Sequence, residues 1–355
     1  MSTHRDRLLH SAGQPARHPD LRAVFSSTRN EWAAVRQRCG LLDARFRGLL
    51  RLSGADRTTF LQGMVSNNVA ALQAGQGVYA ALLTIQGKMV ADLRVYALAD
   101  ELWLDVPAVR EAAVRETLDR YIVADDVEFA ADDAWAPLVA VEGPQAARTL
   151  IGVLGNAVDG MQAFDHREFT FDGARVRVAA ASHAGENGYL LFGNPGLTAR
   201  LREHCQAAGA EPVGTDALNV LRVEAGIPWY GPDFDDSILI LEVGLDAAIS
   251  YRKGCYLGQE VVERVSARGQ IHRKLVGLVC GGETVPLADA TLVHGDKEVG
   301  RITSAVWSPA RQAVVALGYA RSEYWEPGTE LQIALPRGTA AGQVVALPFY
   351  SRLAY

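Results

Sequence analysis

A mixed helix and strand fold that ends in a small all-β unit is the class this sequence predicts. Amphipathic helical spacing and short alternating strands share the chain as far as about residue 273. From Lys274 the pattern turns to short strands separated by turn residues, the signature of a small antiparallel barrel or sandwich. The 355 residues, 49% hydrophobic and 21% charged, are enough for two or three domains, each with its own core.

Composition narrows the function classes. A net charge of -6 argues against a general nucleic-acid binder. Four cysteines without paired spacing point to a reducing compartment and no disulfide framework. Met1 to Asp20 carries Arg5, Arg7, Arg17 and three histidines but no continuous apolar run. It is therefore expected to be a loosely ordered arm rather than a signal peptide or a membrane span. No later apolar stretch approaches spanning length, so a cytoplasmic protein without a membrane partner is expected.

In chain order, Trp32, Val35 and Cys39 fall on one helical face and Gly40 supplies a stop, which makes Cys39 structural. Arg45 to Ser53 reads as a strand, followed by a short helix carrying Phe60, Leu61 and Met64. Val78 to Ile85 and Met89 to Ala97 form a hairpin around Gln86-Gly87-Lys88. Simple alternation puts Met89, Ala91, Leu93, Val95 and Ala97 on one face and Val90, Asp92, Arg94 and Tyr96 on the other. On composition alone this is an ordinary strand with a solvated Asp92 and Arg94. A further strand at Leu102 to Val106 precedes a helix with Val114, Leu118 and Tyr121 inward and a Glu111/Arg115 pair outward. The acidic run Asp125, Asp126, Asp132 and Asp133 reads as a solvated boundary.

Val139 to Glu142 is a strand, and Gly143-Pro144 opens a helix with Ala147, Leu150 and Ile151 on one face. Strands at Glu168 to Phe171 and Arg175 to Ala180 lead to Ser182-His183-Ala184-Gly185-Glu186-Asn187-Gly188-Tyr189-Leu190. Cys205 sits on the Leu197 and Leu201 stripe and is a core thiol. Thr215 can cap a helix striped by Leu218, Leu221 and Ala225, which leaves Arg222 and Glu224 either as an ion pair or directed at a cavity. Asp233, Asp235 and Asp236 lack calcium-loop spacing and read as loop polarity. Strands follow at Leu275 to Cys280, Thr291 to His294, Val299 to Ser304, Ala313 to Tyr319 and Glu330 to Ala334, with Cys280 a buried thiol.

Lys253-Gly254-Cys255-Tyr256-Leu257-Gly258-Gln259-Glu260 stands apart. Its glycines permit unusual backbone and close approach of a ligand, and Lys253 could raise the thiolate fraction of Cys255. The plain alternative is a glycine-rich turn around an inert thiol. The motif K-G-C-Y-x-G-Q-E resembles the signature of the YgfZ family, folate-binding proteins linked to iron-sulphur cluster assembly and repair. Leu221-Arg222-Val223-Glu224-Ala225-Gly226-Ile227-Pro228 and Glu242-Val243-Gly244-Leu245 resemble the wider superfamily of the glycine-cleavage T-protein, a tetrahydrofolate-dependent aminomethyltransferase.

The resemblance implies an α+β fold around a central folate-holding channel with a carboxy-terminal antiparallel β-barrel. It implies a discontinuous first domain from residues 21–50 and 137–270, a second at 51–136, and the barrel at 271–355. Asp92 matches the second aspartate of the T-protein's G-G-I-x-D-D-L hairpin, the residue placed at the folate, with Ala91 and Lys88 replacing its neighbours. The implied catalytic set is Cys255, Lys253 and Asp92; the implied folate set is Asp92, Glu186, Arg222, Tyr256, Gln259 and Glu260. His183 and Leu190 stand where the T-protein has a folate-holding tyrosine and glutamate, and Leu218 where it has a pterin-binding arginine. Leucine cannot make charge-assisted hydrogen bonds, so the pterin is expected to be read differently.

The basic segment Arg252, Lys253, Arg264, Arg268, Arg273 and Lys274 admits a solvated face, a site for a folate polyglutamate tail, or contact with RNA phosphates; the resemblance favours the tail. No P-loop, dinucleotide fingerprint, nucleophile elbow or zinc-protease motif occurs. One exposed-type thiol cannot by itself hold a four-cysteine cluster. The expectation is therefore a tetrahydrofolate-binding accessory protein whose partners are iron-sulphur maturation proteins or client enzymes. The alternative is a folate-dependent aminomethyl or other one-carbon transferase, with an RNA-associated factor the least supported.

Overall fold

The computed structural model describes residues 20–130, 134–155, 158, 160–269 and 271–350. The expected amino-terminal arm before Asp20, and Asp132 and Asp133 of the acidic run, lie outside the described residues.

Ser27 caps the first helix, Thr28–Gln37, through its side chain, and the chain then enters β1 (Gly40–Asp43). It next leaves to build a five-stranded sheet from β2 (Arg47–Ser53), β3 (Gly77–Leu83), β4 (Met89–Ala97), β5 (Leu102–Pro107) and β6 (Glu128–Phe129), in the order β3-β4-β5-β2-β6. Helices Arg57–Met64 and Glu111–Asp119 pack on this sheet, burying Phe60, Leu61, Met64, Val114 and Leu118. Arg115 pairs with Asp119, one turn on, rather than with Glu111.

The chain returns beside β1 with β7 (Ala136–Glu142), β8 (His166–Phe171), β9 (Ala174–Ala180), β10 (Gly188–Gly193) and β11 (Glu211–Val213). Together they make a six-stranded sheet ordered β11-β1-β7-β10-β9-β8, in which β1 and β11 run parallel. The last unit is β12 (Arg273–Cys280), β13 (Thr291–His294), β14 (Lys297–Ser308), β15 (Ala313–Arg321), β16 (Glu330–Ala334) and β17 (Thr339–Val345). Closure of β17 onto β12 makes it a barrel rather than a sandwich. The fold is thus α+β with a closed carboxy-terminal antiparallel barrel. Strand β17 escaped the sequence reading because its inward positions are Gly342 and Val344, and glycine reads as a turn. Gly342 is there for space: a Cβ would stand 2.9 Å from Ile333 Cδ1.

The alternation expected for β4 breaks at its start. Leu82 pairs with Ala91 and Leu83 with Met89, so Val90 is the extra residue of a β-bulge. Ala91, Leu93, Val95 and Ala97 pack in the core of the five-stranded unit together with Val90, whereas Met89 turns into the cluster shared with the barrel. The bulge thus changes the facing of Met89 and Val90 and leaves Asp92 and Arg94 sharing the face that alternation gives them.

Helix Thr215–Glu224 begins at Gly214, which serves as its cap in place of Thr215. A Cβ at Gly214 would lie 2.1 Å from the Ala23 carbonyl oxygen, and the Gly214 N–H donates to the buried Glu31 carboxylate at 2.8 Å. Phe25 and Ser26 donate their N–H groups to the other oxygen of Glu31, which staples the entry segment to this helix. Gly214→Ala is expected to destabilise by about 1–3 kcal/mol, because rigid backbone must move; a thermal midpoint equal to that of the parent would refute the clash.

Glu224 and Arg222 do not pair with each other. Glu224 accepts from Arg36 (2.9 Å), Trp32 Nε1 (2.8 Å) and Ser308 Oγ (2.5 Å), which ties the first helix to the barrel. Arg222 is fully buried against Asp233, with Asn219 Oδ1 at 2.9 Å and Ser304 Oγ at 2.7 Å. Asp233 also accepts from Thr303, Ser304 and the Trp229 N–H. It is a buried counter-ion, not loop polarity.

Candidate functional site

A cavity of about 680 Å³ opens between the five-stranded sheet, the β9–β10 loop and the segment 225–230. This is within the range of small-molecule sites. Its walls are largely apolar, and aromatic rings stand among them. Phe46 and Trp229 stack at 5.8 Å with planes 21° apart, and Tyr79 and Phe164 stack at 6.2 Å with planes 18° apart. Tyr230 closes one side with Arg110 over its ring at 4.4 Å.

Polar groups are concentrated on one wall. Asp92, half-buried on β4, accepts a hydrogen bond from Tyr79 Oη at 3.1 Å. Two residues along, Arg94 donates through Nη1 to Asp105 Oδ2 (3.0 Å) and His183 Nε2 (2.8 Å), and through Nη2 to the Ser182 carbonyl (2.9 Å). Arg47 donates to the other Asp105 oxygen at 2.6 Å, so two guanidinium groups share one buried carboxylate.

Arginine does not give up its proton, so His183 Nε2 must accept and Nδ1 must carry the hydrogen. That hydrogen goes to Glu142 Oε1 at 2.8 Å. Burial, then the nearby Arg94 and Arg47 cations, hold the imidazole well below its ordinary range, so it is neutral. Glu142 also accepts the N–H groups of His183 (2.6 Å) and Ala184 (3.0 Å) and the Ser182 hydroxyl (3.2 Å). These donors favour the anion, yet burial outweighs them and pushes Glu142 up to about 7.

A carboxyl raised in the folded state favours folding below its unfolded pKa, near 4.5, and that contribution is lost as pH rises to about 7. The stability difference between the parent and Glu142→Gln should therefore fall across this window and stay flat above it; a constant difference would contradict the assignment.

Of the residues singled out in the sequence, Asp92, His183 and Glu186 line this cavity. Glu186 is fully buried, and its Oε1 receives Arg36 Nη1 at 3.2 Å. Arg222 does not line it; the pair with Asp233 consumes it. Leu190 and Leu218 pack in a core cluster with Leu42, Tyr96 and Phe192.

Lys253, Cys255, Tyr256, Gln259 and Glu260 belong to a separate loop and helix start outside the cavity lining. Lys253 does not serve the thiol. Its ammonium donates to the carbonyls of Gln62 (2.5 Å), Val65 (2.6 Å) and Asn67 (3.0 Å), fastening the loop to the end of helix Arg57–Met64. Desolvation pulls Lys253 down to about 8, although three acceptors suit the three protons of an ammonium.

Cys255 is exposed, whereas Cys39, Cys205 and Cys280 are buried and burial pushes them up to about 11, 12 and 12. Tyr256 is buried, and its N–H donates to Gln259 Oε1 at 3.2 Å; Glu260 is exposed at the first turn of helix Gln259–Arg268. In the basic segment Arg273 is held by Glu242, while Arg252 and Arg264 are exposed. Among the described residues no group of three or more His, Cys, Asp or Glu is placed to hold a metal ion, and no helix is long and apolar enough to cross a membrane.

Sequence reasoning passed over Phe46, Trp229, Arg47 and Glu142. The available signal was Arg94, on the same face as Asp92; its partners Asp105 and His183 are 11 and 89 residues away.

Comparison with known proteins extends these observations over most of the chain. Residues 11–253 match the family described as "GCVT N-terminal domain", and residues 273–351 match "Glycine cleavage T-protein C-terminal barrel domain". A protein named "Aminomethyltransferase" from Synechococcus sp. (strain RCC307) is 31% identical over 338 residues, covering 94% of this chain and 93% of that protein. Another of that name from Streptomyces coelicolor (strain ATCC BAA-471 / A3(2) / M145) is 30% identical, covering 94% and 92%. The crystal structure of glycine cleavage system aminomethyltransferase T from Bartonella henselae superposes with a TM-score of 0.87 at 23% identity, covering 94% of this chain and 93% of that chain. At that identity it speaks for the fold.

Proposed function

Because the chain belongs to the glycine-cleavage T-protein family, we propose that its central cavity binds tetrahydrofolate and that Asp92 serves a one-carbon, aminomethyl-type transfer there. The observation that carries this reading is a half-exposed carboxylate, held by Tyr79, on the wall of an aromatic cavity of about 680 Å³. Tetrahydrofolate supplies the ring and side-chain nitrogens on which a one-carbon unit rides. Phe46, Trp229, Tyr79 and Phe164 offer flat apolar surface to its heterocycle. Asp92 accepts a hydrogen bond or a proton from a folate nitrogen, and the Tyr79 hydroxyl fixes the carboxylate that does so. Binding should raise the thermal midpoint as tetrahydrofolate concentration rises. Phe46→Ala, which removes part of the wall, should abolish that rise; no shift in the parent protein would count against the reading.

The exposed Cys255 favours a second reading, that of a YgfZ-like folate-binding accessory in iron-sulphur cluster assembly or repair. Under it, Lys253 holds the loop in place and the thiol meets a maturation protein or client enzyme. Cells carrying Cys255→Ala should then lose iron-sulphur enzyme activity while the purified variant still binds folate; normal enzyme activity would remove this reading.

A further inference from the structure

We propose that Arg94 reads the carbonyl oxygen of the pterin, an inference that rests on the folate reading above. Arg94 lies on the cavity wall, 9% exposed, so it is not a solvated surface charge. Its guanidinium is clamped by Asp105, His183 and the Ser182 carbonyl, which take three of its five N–H donors. The clamp is itself supported: Glu142 fixes the tautomer that lets His183 accept, and Arg47 shares Asp105. A rigid, positively charged donor edge therefore forms part of a cavity whose lining is largely apolar.

Asp92 stands next to it on the same strand face as an acceptor. A pterin presents the complementary pair, a ring N–H beside a C=O. Asp92 and Arg94 thus provide the carboxylate and guanidinium chemistry that Leu190 and Leu218, both in the core, cannot. A donor edge held this firmly discriminates against a ligand that places another donor opposite it, because both would be left unpaired.

The test compares tetrahydrofolate with tetrahydroaminopterin, in which an amino group replaces that oxygen, by calorimetric titration of the parent protein and of Arg94→Gln. Asp105 keeps Arg47 as its counter-ion in the variant. The parent should bind tetrahydrofolate at least about tenfold more tightly than the amino analogue, since hydrogen bonds to charged groups carry that much discrimination. Arg94→Gln, with an unchanged circular dichroism spectrum, should bring the two ligands within about threefold by weakening tetrahydrofolate. Equal affinity for both ligands in the parent, or a preference that survives the substitution, overturns the role of Arg94 and leaves the folate reading standing. If neither ligand binds the parent, the folate reading fails and this one with it. Equal affinity in the parent overturns the role of Arg94 even if Arg94→Gln does not fold, and Arg94→Lys, which cannot present a planar fork, then supplies the variant arm of the comparison.

Discussion

Asp233→Ala is expected to cost about 3–5 kcal/mol of stability, the range for stripping one partner from a buried ion pair. Arg222 would keep Asn219 Oδ1, Ser304 Oγ and the Ile227 carbonyl, but none of these carries a charge. The loss extends beyond one contact. Asp233 also receives Thr303 and Ser304 of the barrel and the N–H of Trp229, so it fixes the segment that brings Trp229 and Tyr230 to the cavity. The thermal midpoint should fall by several degrees, and folate affinity should fall with it. Asp233→Asn should recover only part, because an amide offers one acceptor oxygen and no charge. A midpoint within one degree of the parent for Asp233→Ala would show that Arg222 is neutralised some other way.

Asp92→Asn is the second large effect. If Asp92 handles a proton on the folate, folate-dependent turnover should drop by about 10²-fold or more, the usual contribution of a positioned acid or base. The fold should be untouched: Asp92 is half-buried, and Tyr79 Oη can still donate to the amide oxygen. Turnover within threefold of the parent would remove Asp92 from the chemistry. A stability loss as large as that of Asp233→Ala would assign it a structural role instead.

Much of the architecture was legible because it rests on local periodicity. The hairpin bearing Asp92 and five of the six barrel strands appear close to where alternation and turn residues place them. Cys205 and Cys280 are buried as their helical and strand phases require; Cys39 is buried as well, but beyond the end of its helix at Gln37, with Gly40 opening β1 rather than merely stopping the helix. What could not be read depends on contacts between distant residues. Asp233 looks like any loop acid until Ser304, 71 residues on, is folded against it. Lys253 precedes Cys255 by two residues, yet its ammonium reaches carbonyls 186 to 191 residues earlier, which no local pattern records. The bulge at Val90 turns Met89 away from the core face it would share with Ala91 and Leu93, because one extra residue shifts a period-two pattern by half a cycle. The candidate site divided in the same way. Asp92 and Glu186 were reachable from motif and alternation, whereas the clamp on Arg94 joins β2, β4, β5, β7 and the loop before β10.

The central claim is that the aromatic cavity around Asp92 holds tetrahydrofolate. It is tested most directly by calorimetric titration of the purified protein with tetrahydrofolate, run beside Asp92→Asn. One saturable site per chain, weakened about tenfold or more by the substitution, is the predicted result. Absence of saturable binding, or binding that Asp92→Asn leaves unchanged, would contradict it.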